Sequence, residues 1–325
     1  MCGILGLVNL NNKPADIDLI KNLTSKMAHR GPDGEGFWIE DNISISHRRL
    51  KIIDLTENGK QPMFSNSKRF ILSFNGEIYN YQEIKNLLIK KGYRFKSETD
   101  SEVVVNAYQE WGNHCFSMFN GMFAVIIWDK KEKELIVARD RYGIKPLYCF
   151  SNEKISIFCS EIKPILDHPE VSVKINEYAL DQYFTFQNNF SNETLFDGIH
   201  LIDKGTFLVY SLNDKKMKVK KFWDYNFQED SSISKEESII EVDRLFNIAV
   251  ERQFMADVEI GSYLSGGMDS GAITAIAAKK FSNLKTFTIG FNLDSISGME
   301  LNFDERKKAK FLSDLYKTDH YELEL

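Results

Sequence analysis

The chain reads as a mixed α+β region followed by the opening of an α/β, doubly wound parallel sheet. Three observations predict this. The first two-thirds carries many short runs of β-forming residues separated by turns, with few helical patterns between them. Beyond residue 259 strand and helix patterns alternate instead. The length of 325 residues also suits two domains at roughly 100–200 residues each. The expected division is 2–214 for the first domain, 215–233 for a connecting segment and 234–325 for the second.

Taken in order, residues 3–10 form an apolar strand, and 16–27 an amphipathic helix with Ile17, Ile20, Leu23 and Met27 near helical spacing. The run Arg30-Gly31-Pro32-Asp33-Gly34 is a dense turn signal. Strands are expected at 43–49 and 69–75, and helices at 81–91 and 101–111. The runs 123–128, 134–139, 146–150 and 155–160 are rich in β-formers, with a turn at Asp140-Arg141-Tyr142-Gly143. A short helix near 178–184 and strands at 206–211 and 219–223 follow. The polar stretch 225–237 ends in Ser234-x-x-Glu237, a capping box that opens the next helix. A strand at 259–264, a glycine turn, a helix at 271–280, a strand at 286–289, a helix at 304–316 and a strand at 321–325 complete the pattern.

Composition removes several classes of function. Lys plus Arg total 41 and Asp plus Glu 47, a net charge of −6, with both signs interspersed. A chain built to grip nucleic acid or an anionic membrane carries the opposite bias. The 24 Phe, 13 Tyr and 4 Trp exclude a disordered chain. No apolar run approaches the ~18 residues of a membrane helix, and no basic segment precedes the N-terminal apolar stretch as a secretory signal requires. Cys2, Cys115, Cys149 and Cys159 form no C-x-x-C pair and no zinc-type spacing, and the last three read as core cysteines. A reducing, cytoplasmic setting is expected.

Cys2 is unusual for its position. Removal of Met1, which a small second residue permits, gives Cys2 both a thiol and a free α-amine. That amine, with an ordinary pKa of about 7.7–8.0, can take the proton of its own residue's nucleophile, and no distant histidine need be recruited. Read alone, Cys2 is equally a small residue opening an edge strand.

The motifs that follow bear on this choice. Cys2-Gly3-Ile4, His29-Arg30-Gly31-Pro32-Asp33, His47-Arg48-Arg49-Leu50, Asn75-Gly76-Glu77-Ile78-Tyr79-Asn80, Thr99-Asp100-Ser101-Glu102, Gly121-Met122-Phe123-Ala124 and 139–148 occur in this order. Together they resemble the glutaminase domain of class II glutamine amidotransferases, in the form carried by glutamine-hydrolysing asparagine synthetases. The resemblance implies an N-terminal nucleophile hydrolase sandwich (αββα), with Cys2 as nucleophile and Asn75 and Gly76 as oxyanion donors. It also implies a glutamine pocket made by Arg49, Leu50, Ile52, Ile53, Asn75, Gly76, Glu77 and Asp100. The residue types suit a zwitterion: Arg49 pairs with a carboxylate and Asp100 with an ammonium. Taken singly, Asn75-Gly76 is also a strong hairpin turn, and Arg49 and Asp100 are compatible with surface charges. His29, His47 and the turn at 30–33 are expected to be structural.

A second signal is Ser265-Gly266-Gly267-Met268-Asp269-Ser270, placed between an apolar strand and a helix. Glycines let the backbone approach an anion, and a helix N-terminus offers unpaired N–H groups. Ser265 and Ser270 add hydroxyls, and Asp269 suits Mg²⁺ held between phosphates. The pattern is not a Walker A loop; it resembles the PP-loop of ATP pyrophosphatases. That resemblance implies ATP binding by Leu264, Ser265, Gly266, Gly267, Asp269, Ser270 and Ile289, with Leu264 and Ile289 flanking the adenine. ATP and Mg²⁺ are then expected, and no organic cofactor. Asp304 and Glu305 read as acids at a helix start.

The resemblance implies a glutamine-dependent asparagine synthetase, with glutamine, ATP and aspartate as substrates, no nucleic acid or membrane partner, and a homodimer as a compatible assembly. A second Ser-Gly-Glu-Gly-x-Asp-Glu segment of that family is missing from the chain. A C-terminally truncated product, doubtful in its second half-reaction, is therefore expected. Two rivals stand beside this reading: an amidotransferase for another carboxylate such as a sugar acid, and a non-catalytic glutamine- or nucleotide-binding scaffold. Sugar-phosphate amidotransferases with an isomerase domain are disfavoured, because the loop 265–270 has no role in them.

Overall fold

The computed structural model describes residues 1–214, 216–230, 232–290 and 304–324. Two units emerge, Met1–Asn226 and Phe227–Leu325. The expectation placed on Leu325 lies outside the described residues.

In the first unit the elements run β1 (Gly3–Asn9), α1 (Ile17–Ser25), β2 (Gly34–Glu40), β3 (Ile43–Arg49), β4 (Met63–Phe64), β5 (Phe70–Ile78), α2 (Tyr81–Lys90), α3 (Asp100–Trp111) and α4 (Cys115–Met118). They continue with β6 (Gly121–Asp129), β7 (Glu134–Arg139), β8 (Tyr148–Ser151), β9 (Ile155–Cys159), α5 (Ile162–Leu166) and α6 (Glu177–Phe186). The last three are β10 (Ile199–Leu201), β11 (Thr206–Ser211) and β12 (Lys216–Lys221). The strands form two six-stranded sheets, ordered β10-β8-β9-β1-β3-β2 and β12-β11-β7-β6-β5-β4. Among the described residues their pairings are antiparallel.

Alternation along β1 explains the layering. Ile4 and Val8 point between the sheets, where they join Ile126, Trp128 and Val137 in one core. Leu5 and Leu7 point the other way, onto Ile20, Leu23 and Met27 of α1 and its C-terminal turn. At Gly6 an added Cβ would lie 3.0 Å from Ile126 Cγ2, so the sheets meet closely there. On the far face of the second sheet, α3 and α4 cover an aromatic cluster including Phe70, Tyr108, Phe116 and Phe123. The order of layers is helix, sheet, sheet, helix, the αββα sandwich that the resemblance implied.

Several boundaries differ from expectation for local reasons. Asp16 does not enter α1 but caps it, accepting from Asp18 N at 2.9 Å and Leu19 N at 3.3 Å. β2 follows directly on the glycine turn, where the turn signal masked a strand edge. β5 runs on past Asn75 to Ile78, so Asn75-Gly76 lies inside a ladder, opposite Ala124 and Phe123, and not in a hairpin turn. β12 occupies the start of the 215–233 span.

The second unit holds α7 (Lys235–Arg252), β13 (Gly261–Tyr263), α8 (Met268–Lys280), β14 (Lys285–Gly290), α9 (Arg306–Tyr316) and β15 (Asp319–Glu324). Its three strands are parallel, in the order β13-β14-β15. The capping box at Ser234 and Glu237 forms as expected. Glu305 does not cap α9 by side chain; the Asp304 carboxylate accepts from Arg306 N, the first residue of α9, at 3.0 Å and is also held by the Arg306 guanidinium, at 2.9 Å from its Nε.

Candidate active site at the head of β1

The site grows from the junction of β1, β3 and β5. Cys2 precedes β1, and Gly3 pairs with Arg48 of the neighbouring β3. This brings Leu50 N within 3.4 Å of Cys2 Sγ, and Sγ in turn lies 3.7 Å from Leu50 O. Burial pushes the thiol above its ordinary range, and the Leu50 N–H works against that by favouring the thiolate. A thiol raised in this way needs a base beside it before it can act as a nucleophile. Arg30 Nε donates to Cys2 O at 2.9 Å while its Nη1 holds Glu161 at 3.1 Å, which fixes the residue's main chain.

Strand parity then places the groups of β5. Ser73 of β5 donates to Ser46 O in the other sheet at 2.9 Å, so the odd-numbered side chains of this strand point between the sheets. Asn75 and Glu77 share that face. Asn75 is buried, and its Nδ2 has no hydrogen-bond partner among the described residues. The even-numbered N–H groups point away from β6 along the outer edge of β5. Phe74 N donates to Gln61 Oε1 at 2.7 Å and Ile78 N to Asp100 Oδ2 at 2.9 Å. Gly76 N lies between them on the same edge. Phe123, opposite Gly76, gives both its backbone groups to Asp140, at 3.1 Å and 2.9 Å, which leaves the Gly76 N–H directed to the pocket. No side chain fits at this position, since a Cβ on Gly76 would sit 2.3 Å from Met122 O.

Cys2, Gly76, Glu77 and Asp100 line a pocket together with Arg49, Leu50, Ile52, Ile53, Gly59, Gln61, Phe74, Thr99 and Ser101. Arg49 is buried at the end of β3, not a surface charge, and it ties the loop after it by donating to Thr56 O at 2.7 Å and Asp54 O at 2.5 Å. Gly59 clears the space for that guanidinium, because a Cβ there would fall 2.0 Å from Nη2. Asp100 is buried at the first position of α3, behind Thr99, whose hydroxyl caps the helix by accepting from Glu102 N at 3.4 Å. Every glutaminase residue expected from sequence lies at this one pocket except Asn75, which sits in the strand segment beside it. Gln61 was not foreseen: it is the buried link between β5 and Ser101 Oγ, at 3.1 Å, and no local pattern marks it. The Thr99-x-x-Glu102 spacing is a helix-start signal that could have placed Asp100.

The carboxyls are poised by burial. Desolvation, with Asp100 nearby, raises Glu77 to about 9, while Lys145 opposes the shift. Asp100 is raised to about 7, mainly by burial, against stabilising N–H donors. Between pH 4.5 and about 9 the unfolded chain has released a Glu77 proton that the folded chain keeps, so stability falls as pH rises through that window. Glu77→Gln removes the titration. Melting temperatures measured from pH 5 to pH 9 are expected to decline less steeply in this variant than in the parent chain.

His47 is buried and neutral, its Nε2 lying 3.1 Å from Phe74 O, with burial pulling it down to about 3. His29 is exposed and meets Glu161 at 2.8 Å. Neither is placed at the thiol by these contacts.

In the second unit the loop 265–270 is tied internally. Ser265 Oγ and Ser270 Oγ are 3.1 Å apart, and Gly267 N donates to Ser265 Oγ at 3.4 Å. Gly266 takes φ +81° and lies against α9, where a Cβ would meet Lys308 Cβ at 2.5 Å. Gly267 caps α8 without a side chain, and Asp269 is exposed in the first turn. The Leu264 side chain is buried and its backbone is spent on Phe287 O and Thr288 Oγ1, whereas Ile289 is largely exposed. Among the described residues no group of three His, Cys, Asp or Glu side chains is arranged to hold a metal ion. No helix among them is long and apolar enough to cross a membrane.

An antiparallel αββα sandwich of this order is the fold of the N-terminal nucleophile hydrolases, here with a cysteine at the head of a central strand. Residues 1–223 match the glutamine amidotransferase domain family, to which the chain belongs, and residues 241–325 match the asparagine synthase family. The chain is 33% identical to asparagine synthetase [glutamine-hydrolyzing] 3 of Bacillus subtilis, over 90% of this chain and 48% of that protein. It is 32% identical to the putative asparagine synthetase [glutamine-hydrolyzing] 2 of Methanocaldococcus jannaschii, over 99% of this chain and 64% of that one. In these comparisons the chain spans about half to two-thirds of the relative's length. A similar fold occurs in the glutamine phosphoribosylpyrophosphate amidotransferase of B. subtilis solved with ADP and GMP: TM-score 0.51, 15% identity, covering 98% of this chain and 65% of that one.

Proposed function

We propose that the chain is the glutaminase part, with the start of the synthetase part, of a glutamine-dependent asparagine synthetase. The observation that carries this is the outward Gly76 N–H in the pocket of a thiol that already receives the Leu50 N–H, with the buried, unpaired Nδ2 of Asn75 one residue before it on β5. Buried donors without partners are costly. Donors aimed where an oxyanion will form are what acyl transfer requires.

In this reading Met1 is removed and the freed α-amine of Cys2 takes the thiol proton. The thiolate attacks the side-chain amide carbon of glutamine. The negative charge that develops on oxygen is received by Asn75 Nδ2 and Gly76 N. The amine returns its proton to the departing nitrogen, ammonia leaves, and water cleaves the thioester to glutamate. Arg49 holds the substrate carboxylate and the Glu77–Asp100 pair its ammonium.

The ammonia then serves an ATP-activated carboxylate, that of aspartate, with release of AMP and pyrophosphate. Support comes from the glycine loop at the N-terminus of α8 and the asparagine synthase match. With a single carboxylate in this turn, Mg²⁺ would be shared between Asp269 and phosphate oxygens, as suits an ion that keeps few protein ligands. The reading needs no organic cofactor, and unpaired cysteines at all four positions fit a reducing cytoplasm.

Two measurements test it. Glutamate release from glutamine is expected without ATP or aspartate, and its absence would refute the first half. Calorimetric titration with ATP is expected to show Mg²⁺-dependent binding; no heat at millimolar ATP would refute the nucleotide role. Pyrophosphate release in an acceptor screen separates aspartate from other carboxylates such as sugar acids.

A further inference from the structure

Two walls of the Cys2 pocket come from distant parts of the chain. One is the end of β3 and the loop after it, with Arg49, Leu50, Ile52 and Ile53; the other is the start of α3, with Thr99, Asp100 and Ser101. Asp54 immediately follows the first wall, and Glu98 immediately precedes the second. Glu98 N donates to Asp54 Oδ2 at 3.0 Å, a bond that joins the two walls across 44 residues of sequence. On the α3 side this segment is fixed in turn, because Ser97 N donates to Glu102 Oε2 at 2.7 Å.

The other acceptors of Asp54 serve the same junction. Its Oδ1 accepts from Thr56 N at 3.0 Å and from Thr56 Oγ1 at 2.5 Å, which orients the carboxylate. Its carbonyl oxygen accepts from Arg49 Nη2 at 2.5 Å, and Thr56 O accepts from Nη1 at 2.7 Å. The residue that holds Glu98 therefore also holds the Arg49 guanidinium. It does so at φ +54°, a left-handed conformation that Asp adopts more readily than most side chains. Gly59 closes the loop where the walls meet: a Cβ there would fall 2.0 Å from Arg49 Nη2 and 2.9 Å from Thr99 Cγ2. We propose that Asp54 is a positioning residue of this site, a clasp that sets the spacing between Arg49 and Asp100 and so fits the pocket to a ligand with a carboxylate and an ammonium on one carbon. Burial pushes the Asp54 carboxyl up, but the Thr56 and Glu98 donors outweigh it and hold the group low, in keeping with an acceptor that stays ionised.

Asp54 takes this role from the glutaminase reading of the pocket, and the test separates the two. Cys2 is alkylated with iodoacetamide and followed by peptide mass, with glutamine or glutaramate as protectant. Glutaramate is glutamine without its α-ammonium, and protection needs no turnover. Asp54→Asn keeps the side chain's size and its tolerance of left-handed backbone. Whichever way its amide turns, however, the NH2 faces an N–H of Thr56 or Glu98. In this variant the half-protecting concentration of glutamine is expected to rise about ten-fold and that of glutaramate less than about two-fold, since a ligand with one charge follows whichever wall binds it. The KM for glutamine is expected to rise by the same factor with kcat little changed. A merely structural aspartate would lower the melting temperature and weaken both protectants alike, or neither, and either result overturns the proposal. Should Asp54→Asn fail to fold, Thr56→Val decides, because it removes the hydroxyl that orients the carboxylate and keeps both partners of the crossing bond. A rise of about three-fold for glutamine with glutaramate unmoved supports the clasp, and equal or absent shifts overturn it. A parent chain that glutamine protects but that releases no glutamate would refute the glutaminase reading alone, and the two protectants would still decide on the clasp. Glutamine that fails to protect the parent overturns both.

Discussion

Cys2→Ala is expected to lower glutamate release by about a thousand-fold or more, because no second nucleophile is placed to take over. Cys115 and Cys159 are buried in the core and burial holds their thiols high, Cys159 at about 12. Cys149 is raised to about 11. None is in the lining of the Cys2 pocket. The loss should fall on kcat with the melting temperature near that of the parent, since Cys2 contributes no packed core contact and the adjoining Leu50 N–H remains open to the pocket. Persistence of glutamate release in this variant, with the contaminating activity of the host excluded by a parallel purification, would remove the basis of the proposed function.

The second large effect is expected at Asn75. Asn75→Ala removes one of the two proposed oxyanion donors and should cut kcat by about 10²–10³-fold, some 3–4 kcal/mol of transition-state stabilisation, with KM little changed. Its stability behaviour sets it apart from an ordinary buried asparagine. Deleting a satisfied buried amide costs about 1–3 kcal/mol through the partner left behind. Asn75 Nδ2 leaves no such partner. The melting temperature should therefore hold while activity collapses. A variant that loses stability and keeps kcat would show that the side chain serves the strand and not the reaction.

Much of this site was legible in the sequence because its parts lie at element boundaries, where residue type constrains geometry. Cys2 stands at the head of an apolar strand, Asp100 follows a Thr that caps a helix, and the glycine loop sits between β13 and α8. The two-sheet core was legible in the same way, as apolar residues on both faces of β1 and β9. What sequence did not reveal depends on long-range pairing. The Asn75-Gly76 pair favours a turn by composition, and only the β5–β6 register puts it inside a ladder. Once it is there, strand parity, not residue preference, directs one donor between the sheets and the other to the open edge. Gln61 escaped notice for a related reason. A polar residue looks like any loop residue until the fold buries it, and 40 residues separate Gln61 from its partner Ser101.

Arg30 was expected to shape a turn, and its contacts fit that expectation while adding something specific. Its guanidinium holds both Cys2 O and Glu161, so the turn that contains it also fixes the main chain of Cys2. In the second unit, Leu264 shows the opposite case. It was expected to flank the adenine, but its side chain is buried and its backbone groups are already paired. Among that pair, Ile289 is the one with surface to offer a base.

The central claim is that Cys2 acts through its own α-amine. It is tested most directly by treating the chain with an electrophilic glutamine analogue and reading intact mass and peptide map together. A single adduct is expected on Cys2, formed only by the fraction that lacks Met1 and prevented by excess glutamine. An adduct formed equally well by chains that retain Met1, or formed on another cysteine, would contradict it.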